Sequence, residues 1–186
     1  ELEQLEKNIV SDGKVINPII VWKGLVVDGH NRYTILQKHP DIPYTVHEKE
    51  FADRFEAIIW ICKNQLGRRN LSPEQKKYLI GKQYDAEKAS YGAANGFRGN
   101  QYTDLVSNEI QYLPKEAKTC YRIAAENNVG PSYVQAAEKY ATGIDLIEEI
   151  HPGMKEQILS RKVKATAAEI ASVARAAPEE RPALVE

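Results

Sequence analysis

Residues 28–32, Asp-Gly-His-Asn-Arg, set an acid, a glycine, an imidazole, an amide and a guanidinium side by side. Val26 and Val27 before them and the apolar rhythm of Tyr33, Ile35 and Leu36 after them mark a turn from strand into helix. Such a turn aims backbone N–H groups and partial positive charge at the helix N-terminus, which suits an anion. Gly29 lets a ligand approach the main chain, and Arg32 offers a forked, permanently charged donor matched to phosphate. His30 and Asn31 add hydrogen-bonding groups. Asp28 has several open roles: helix cap, partner of Arg32, metal ligand or general base. Asp28 and His30 are the candidate catalytic groups.

A second cluster lies in residues 63–75, KNQLGRRNLSPEQ, where Arg68 and Arg69 follow Gly67 just ahead of a helix start. Ser72 is the expected N-cap, with Pro73 in the first turn, where its missing N–H costs nothing. Two arginines beside a helix N-terminus again suit phosphate.

The elements that must hold these residues follow from pattern. Residues 1–10 read as an amphipathic helix, residues 16–22 and 25–28 as a hairpin about Lys23-Gly24, and residues 31–38 as a helix. A strand is expected at 44–47, a helix at 51–65 and another from Ser72 to about Ser90. Residues 91–108 turn rich in Gly, Asn and Ala and are expected to form a flexible linker, drawn as 91–116. Everything beyond is helical.

In the last segment, KTCYRIAAENNVGPSYVQAAEKYAT predicts two short helices about Val129-Gly130-Pro131, the layout of a helix-turn-helix. Ile123, Ala124, Val129, Val134 and Ala137 face inward, with Ser132 as N-cap of the second helix. Tyr133, Gln135, Ala136 and Lys139 face outward. Gln135 suits adenine, and Lys139 and Tyr133 suit backbone phosphate. Thr119 and Ser132 complete the candidate DNA contacts. A plain helical bundle explains the same spacing.

The 186 residues carry a net charge of -1, with 42% hydrophobic and 27% charged residues, as in an ordinary globular chain. Charge is unevenly spread. Residues 61–100 hold eight basic and three acidic side chains, a basic island whose Lys76, Lys77, Lys82, Lys88 and Arg98 suit contact with backbone phosphate. No apolar run reaches the ~20 residues of a membrane span. The N-terminus shows no signal-peptide pattern, and a cytoplasmic setting is expected. Cys62 and Cys120 make neither a disulfide framework nor a metal cluster, and Cys62 reads as a buried structural thiol. His39, His47 and His151 lack ligand spacing, so no metal site is expected.

The stretch Pro18-Ile19-Ile20-Val21, the turn Gly29-His30-Asn31-Arg32, and Arg68 with Leu71-Ser72-Pro73-Glu74 together resemble the N-terminal domain of the ParB/sulfiredoxin superfamily. The later helix–turn–helix spacing also resembles ParB. The resemblance implies an α+β fold: a small mixed-sheet ParB/sulfiredoxin-like domain over residues 1–90, then the linker, then an all-α helix-turn-helix domain over 117–186. It implies a nucleotide-phosphate pocket of Pro18, Gly29, His30, Asn31, Arg32, Asn64, Gln65, Arg68 and Arg69, in which both arginine clusters share one nucleoside triphosphate, CTP ahead of ATP. Nucleotide-driven packing of two protomers, double-stranded DNA as partner, and a role in partition or in a plasmid- or phage-type regulator follow from it. ParB proteins that bind CTP with magnesium usually carry a Glu-Asn pair where this chain has Asn64-Gln65. An amide lacks the negative charge that holds a hard cation, so Mg2+ binding and triphosphate hydrolysis are not expected to be strong. Sulfiredoxins carry a cysteine in the phosphate turn, and this turn has none. A nuclease or small-molecule phosphotransferase on the same scaffold is the alternative, with Asp28 or His30 as base. A module that serves assembly alone is a third reading.

Overall fold

The computed structural model describes residues 2–94 and 118–185. Chain contacts divide it into two compact units, Glu1–Ala57 and Ile58–Glu186. Among the described residues there are nine helices and one three-stranded mixed sheet, so the α+β class expected from sequence is observed.

The first unit opens with α1 (Leu2–Asp12), followed by β1 (Ile19–Trp22), β2 (Leu25–Asp28), α2 (His30–Lys38) and β3 (Val46–Glu48). The hairpin forms as read: Lys23 and Gly24 both take positive φ, 48° and 79°, the geometry that lets a two-residue loop follow the strand twist. The sheet order is β2-β1-β3, antiparallel on one side of β1 and parallel on the other. β1 begins three residues later than the apolar run suggests, because Pro18 has no N–H to give a ladder. Ile9, Val15, Ile19, Ile35 and Leu36 form the core beneath the sheet. Glu6 anchors α1 through His39 at 2.9 Å and Lys38 at 3.4 Å.

Helix α3 (Arg54–Leu66) starts later than residue 51 because Asp53 caps it, accepting from the N–H groups of Phe55 (2.8 Å) and Glu56 (2.9 Å). Phe51 stays outside the helix and buries its ring edge-on to Trp22, 5.8 Å between centroids.

The second unit is built on two long helices, α4 (Pro73–Ala94) and α6 (Pro131–Ile150), with α5 (Thr119–Asn127), α7 (Met154–Leu159), α8 (Ala167–Arg175) and α9 (Arg181–Val185) around them. The expected cap of α4 is present: Ser72 Oγ accepts from Gln75 N at 3.1 Å, and Gln75 Oε1 accepts from Ser72 N at 2.9 Å. Helix α4 belongs with the later helices. Of the expected linker, residues 91–94 continue α4 as backbone helix, and the remainder lies outside the described residues.

Two expectations for this region are corrected. The second of the paired helices is not short: α6 runs 20 residues, straight through Gly143. Its cap is Gly130 with Pro131 in the first turn, and Ser132 makes no side-chain cap bond. Pro131 supplies the start by its fixed φ, so no capping side chain is required.

Glycines at two points set how closely the helices approach α6. A Cβ on Gly81 of α4 would lie 2.1 Å from the Ala137 carbonyl oxygen, and one on Gly143 of α6 would lie 2.1 Å from that of Ile170 in α8. Two apolar clusters fill the space on either side. One holds Ile80, Cys120, Ile123, Ala124, Val134 and Ala137; the other holds Tyr140, Ile144, Ile147, Ile158, Ile170 and Val173. Cys62 is buried as read, and burial pushes its thiol up to about 12.

Gly81→Ala and Gly143→Ala each force backbone apart and are expected to cost about 2–4 kcal/mol in urea unfolding, at or above the usual overpacking range. Gly130→Ala meets nothing within 4 Å and is expected to change stability by less than about 0.5 kcal/mol.

Candidate functional site

In the strand-to-helix turn, Gly29 is the N-cap of α2 with φ 95° and ψ 19°, a left-handed conformation costly for any residue with a Cβ. The space a Cβ would fill is taken: Arg32 Nη2 lies 2.9 Å and Ile19 Cδ1 3.1 Å from that position. Arg32 Nη2 donates to Asp28 Oδ2 at 3.1 Å and to the Pro18 carbonyl at 3.2 Å. Of the roles open to Asp28, the structure shows partner of Arg32. Asp28, Arg32, Pro18 and Gly29 are therefore brought together, with the guanidinium 20% and the carboxylate 13% exposed. Arg32 Nε is buried and has no hydrogen-bond partner among the described residues, a donor that an anion's oxygen would satisfy. His30 and Asn31 are exposed beside it at the start of α2.

Asn64 and Gln65 lie in the last turns of α3, with Arg68 and Arg69 exposed in the connection to α4. The chain turns there through Gly67 N to Lys63 O and Arg68 N to Gln65 O, at 3.2 and 3.0 Å. The Arg32 turn belongs to the first unit and these four residues to the second.

Of the expected DNA contacts, Ser132, Gln135 and Lys139 meet in one groove of about 410 Å³ on the exposed side of α6. Ala136 forms its floor with Ala167, Ala168 and Ala171 of α8. Lys77 of α4 and Arg175 of α8 complete the lining. The groove thus gathers three cations, one amide and one hydroxyl. Among the described residues, no carboxylate is within ion-pair distance of any of the three cations. Arg175 is steadied by Nε donating to the Ala171 carbonyl at 3.1 Å. Lys77 Nζ stands 5.6 Å from the Tyr133 ring centre and 5.1 Å from that of Tyr140.

Two expected contacts fall elsewhere. Thr119 opens α5 and does not line the groove. Tyr133 does not point outward: it packs against the Ile80–Val134 cluster and presents its ring to Lys77, since an aromatic body gains more from burial than a phenol gains from water. Arg175 was not singled out in the sequence, because nothing in residues 160–180 marks which face of α8 meets α6.

The basic island is mostly spent within the fold. Lys82 pairs with Asp145 at 2.9 Å, Lys88 with Glu138 at 2.6 Å, and Lys76 donates to the Asn127 carbonyl at 3.5 Å. Arg98 lies outside the described residues. Arg122 bridges Glu87 and Glu126, and Glu126 also takes Lys63. Asp145 is the densest node. Burial works to raise its pKa, but hydrogen bonds from Lys82, Tyr78 and Lys155 outweigh it and hold the carboxyl below its ordinary value.

No family model matches the sequence, and no curated protein does either. A solved structure of a Pnob8-like ParB-N domain does match in shape, with a TM-score of 0.51 at 19% identity, over 92% of this chain and 69% of that one. The chain has a ParB-like fold. At that identity the likeness carries architecture and no residue roles, so the roles in this ParB-like chain rest on its own geometry. Among the described residues, no helix is long and apolar enough to cross a membrane.

Because the folded-state pKa of Asp145 is depressed, its contribution is complete above the ordinary carboxylate range of about 4 and fades as pH falls through the lower value. Asp145→Asn is expected to lower the thermal midpoint at pH 7. The gap to the parent protein should close as pH is taken toward 2. A constant gap would contradict the assignment.

Proposed function

We propose that this ParB-like chain is a DNA-binding protein of the partition or plasmid- and phage-regulator kind, with a nucleotide-phosphate site in its first unit. The single observation behind DNA binding is the carboxylate-free groove along α6, in which Gln135 and Lys139 stand with Lys77 and Arg175. Three cations in one hollow, without an ion-pair partner among the described residues, favour a polyanion, and the Gln135 amide beside them has the paired donor and acceptor that read adenine. Glu138, the acid on the same helix, is tied to Lys88 and so does not repel phosphate from this face.

The nucleotide reading is supported by the buried Nε of Arg32 and by the opening N–H groups of α2 beyond Gly29. A nucleoside triphosphate would be held there by its phosphates. Arg68 and Arg69 offer charge to the same class of ligand. Asn64 and Gln65 lack the charge to hold Mg2+, so ligand selection of a conformation, or of a paired state of two protomers, is the role assigned to the nucleotide.

Fluorescence anisotropy with a duplex library across a salt series tests the first half. Lys139→Ala and Arg175→Ala are each expected to reduce the salt slope by about 1, and Gln135→Ala to relax base preference at one position by about 1–3 kcal/mol. Absence of binding at low salt would overturn the DNA reading. Titration with CTP and ATP tests the second half, with Arg32→Ala expected to abolish binding; unchanged binding in that variant would remove the turn as the site.

A further inference from the structure

The most unusual side chain in the second unit is Lys77. It lines the groove, faces the rings of Tyr133 and Tyr140, forms no ion pair among the described residues, and shares the hollow with Lys139 and Arg175. Its surroundings differ from those of the other lysines on α4. Lys82 and Lys88 are paired with acids, and Lys76 donates to a carbonyl. An amine engaged by a carboxylate is held protonated and turned away from an electrophile. Lys77 has no such engagement among the described residues. The neighbouring Lys139 and Arg175 also form a docking point for an anionic reagent small enough for a hollow of about 410 Å³.

We propose that Lys77 is a site of acylation by acyl phosphates, with Lys139 and Arg175 binding the phosphate of the reagent and Lys77 Nζ accepting the acyl group. In this step the unprotonated amine attacks the acyl carbon, an N–C amide bond forms, and the C–O bond to phosphate breaks. Inorganic phosphate leaves with the electron pair of that bond, and the proton lost from nitrogen goes to solvent. Burial, which strips water from the ammonium, holds it below the ordinary lysine pKa and enlarges the fraction of reactive amine at neutral pH. The product is neutral, so the groove drops from three cations to two. On the DNA reading above, acylation then weakens duplex binding and lowers its salt dependence. The modification itself does not depend on that reading.

The experiment treats the protein with acetyl phosphate and follows each lysine by peptide mass spectrometry over time. Lys162 and Lys164 serve as internal references, since both are exposed and neither is in an ion pair among the described residues. Lys77 is expected to acylate several-fold faster than either. The preference should vanish in an Arg175→Ala/Lys139→Ala variant, and with a neutral acyl ester in place of acetyl phosphate. A rate at Lys77 no greater than at the references overturns the proposal, as does a preference that survives the neutral ester. Duplex binding of the acetylated protein is then compared with that of Lys77→Arg, which keeps the charge and blocks the reaction. Site-selective acetylation without loss of duplex affinity would uphold the modification site and count against the DNA reading alone.

Discussion

Two glycines in the helical unit decide where everything else stands. At Gly81 the backbone of α4 meets the Ala137 carbonyl of α6, and at Gly143 the backbone of α6 meets the Ile170 carbonyl of α8. Neither contact tolerates a methyl group without moving main chain. Each glycine gives up helix propensity of about 1 kcal/mol relative to alanine, and close packing of the two apolar clusters offsets it. The consequence reaches the surface. Lys77 lies one turn before Gly81, so the close crossing carries it over Tyr133 and Tyr140, the residues that flank Ala137 on α6. Ala171 follows Ile170, so the second crossing seats the alanine floor and Arg175 against the same helix. The groove is what remains between two helices held unusually close to a third.

Charge follows packing in the same way. A basic island in a linear sequence suggests a basic surface, but most of its lysines meet acids from distant helices: Asp145 for Lys82, Glu138 for Lys88 and Glu126 for Lys63. These partners lie on helices 50 residues or more later in the sequence, and only the fold brings them together. What distinguishes Lys77, Lys139 and Arg175 is that they line one hollow without such an acid among the described residues, and that distinction is invisible to residue counting. A net charge of -1 is therefore compatible with a local concentration of positive charge.

The legible parts of the chain were those governed by local chemistry. The Lys23-Gly24 hairpin, the Ser72 N-cap and the strand-to-helix turn at residues 28–32 were readable because each is decided within a few residues. Ser132, Gln135 and Lys139 were placed together because helical periodicity puts them on one face of α6. The failures have a common physical origin in tertiary contact. The helix through Gly143 read as short, because the close crossing that Gly143 permits, like the one at Gly81, leaves no local signal in the sequence. Tyr133 read as outward because periodicity leaves it at the edge of the buried stripe, where the approach of α4 decides its side. Arg175 had no local signal at all.

The central claim is that the exposed side of α6, walled by Lys77 and by α8, is the surface that meets duplex DNA. Amide hydrogen exchange with and without a saturating duplex at low salt tests it most directly. The account predicts slowed exchange concentrated in the first half of α6, in the start of α8 and around Lys77 in α4. Protection confined to the first unit or to α9, with those three segments unchanged, would contradict it.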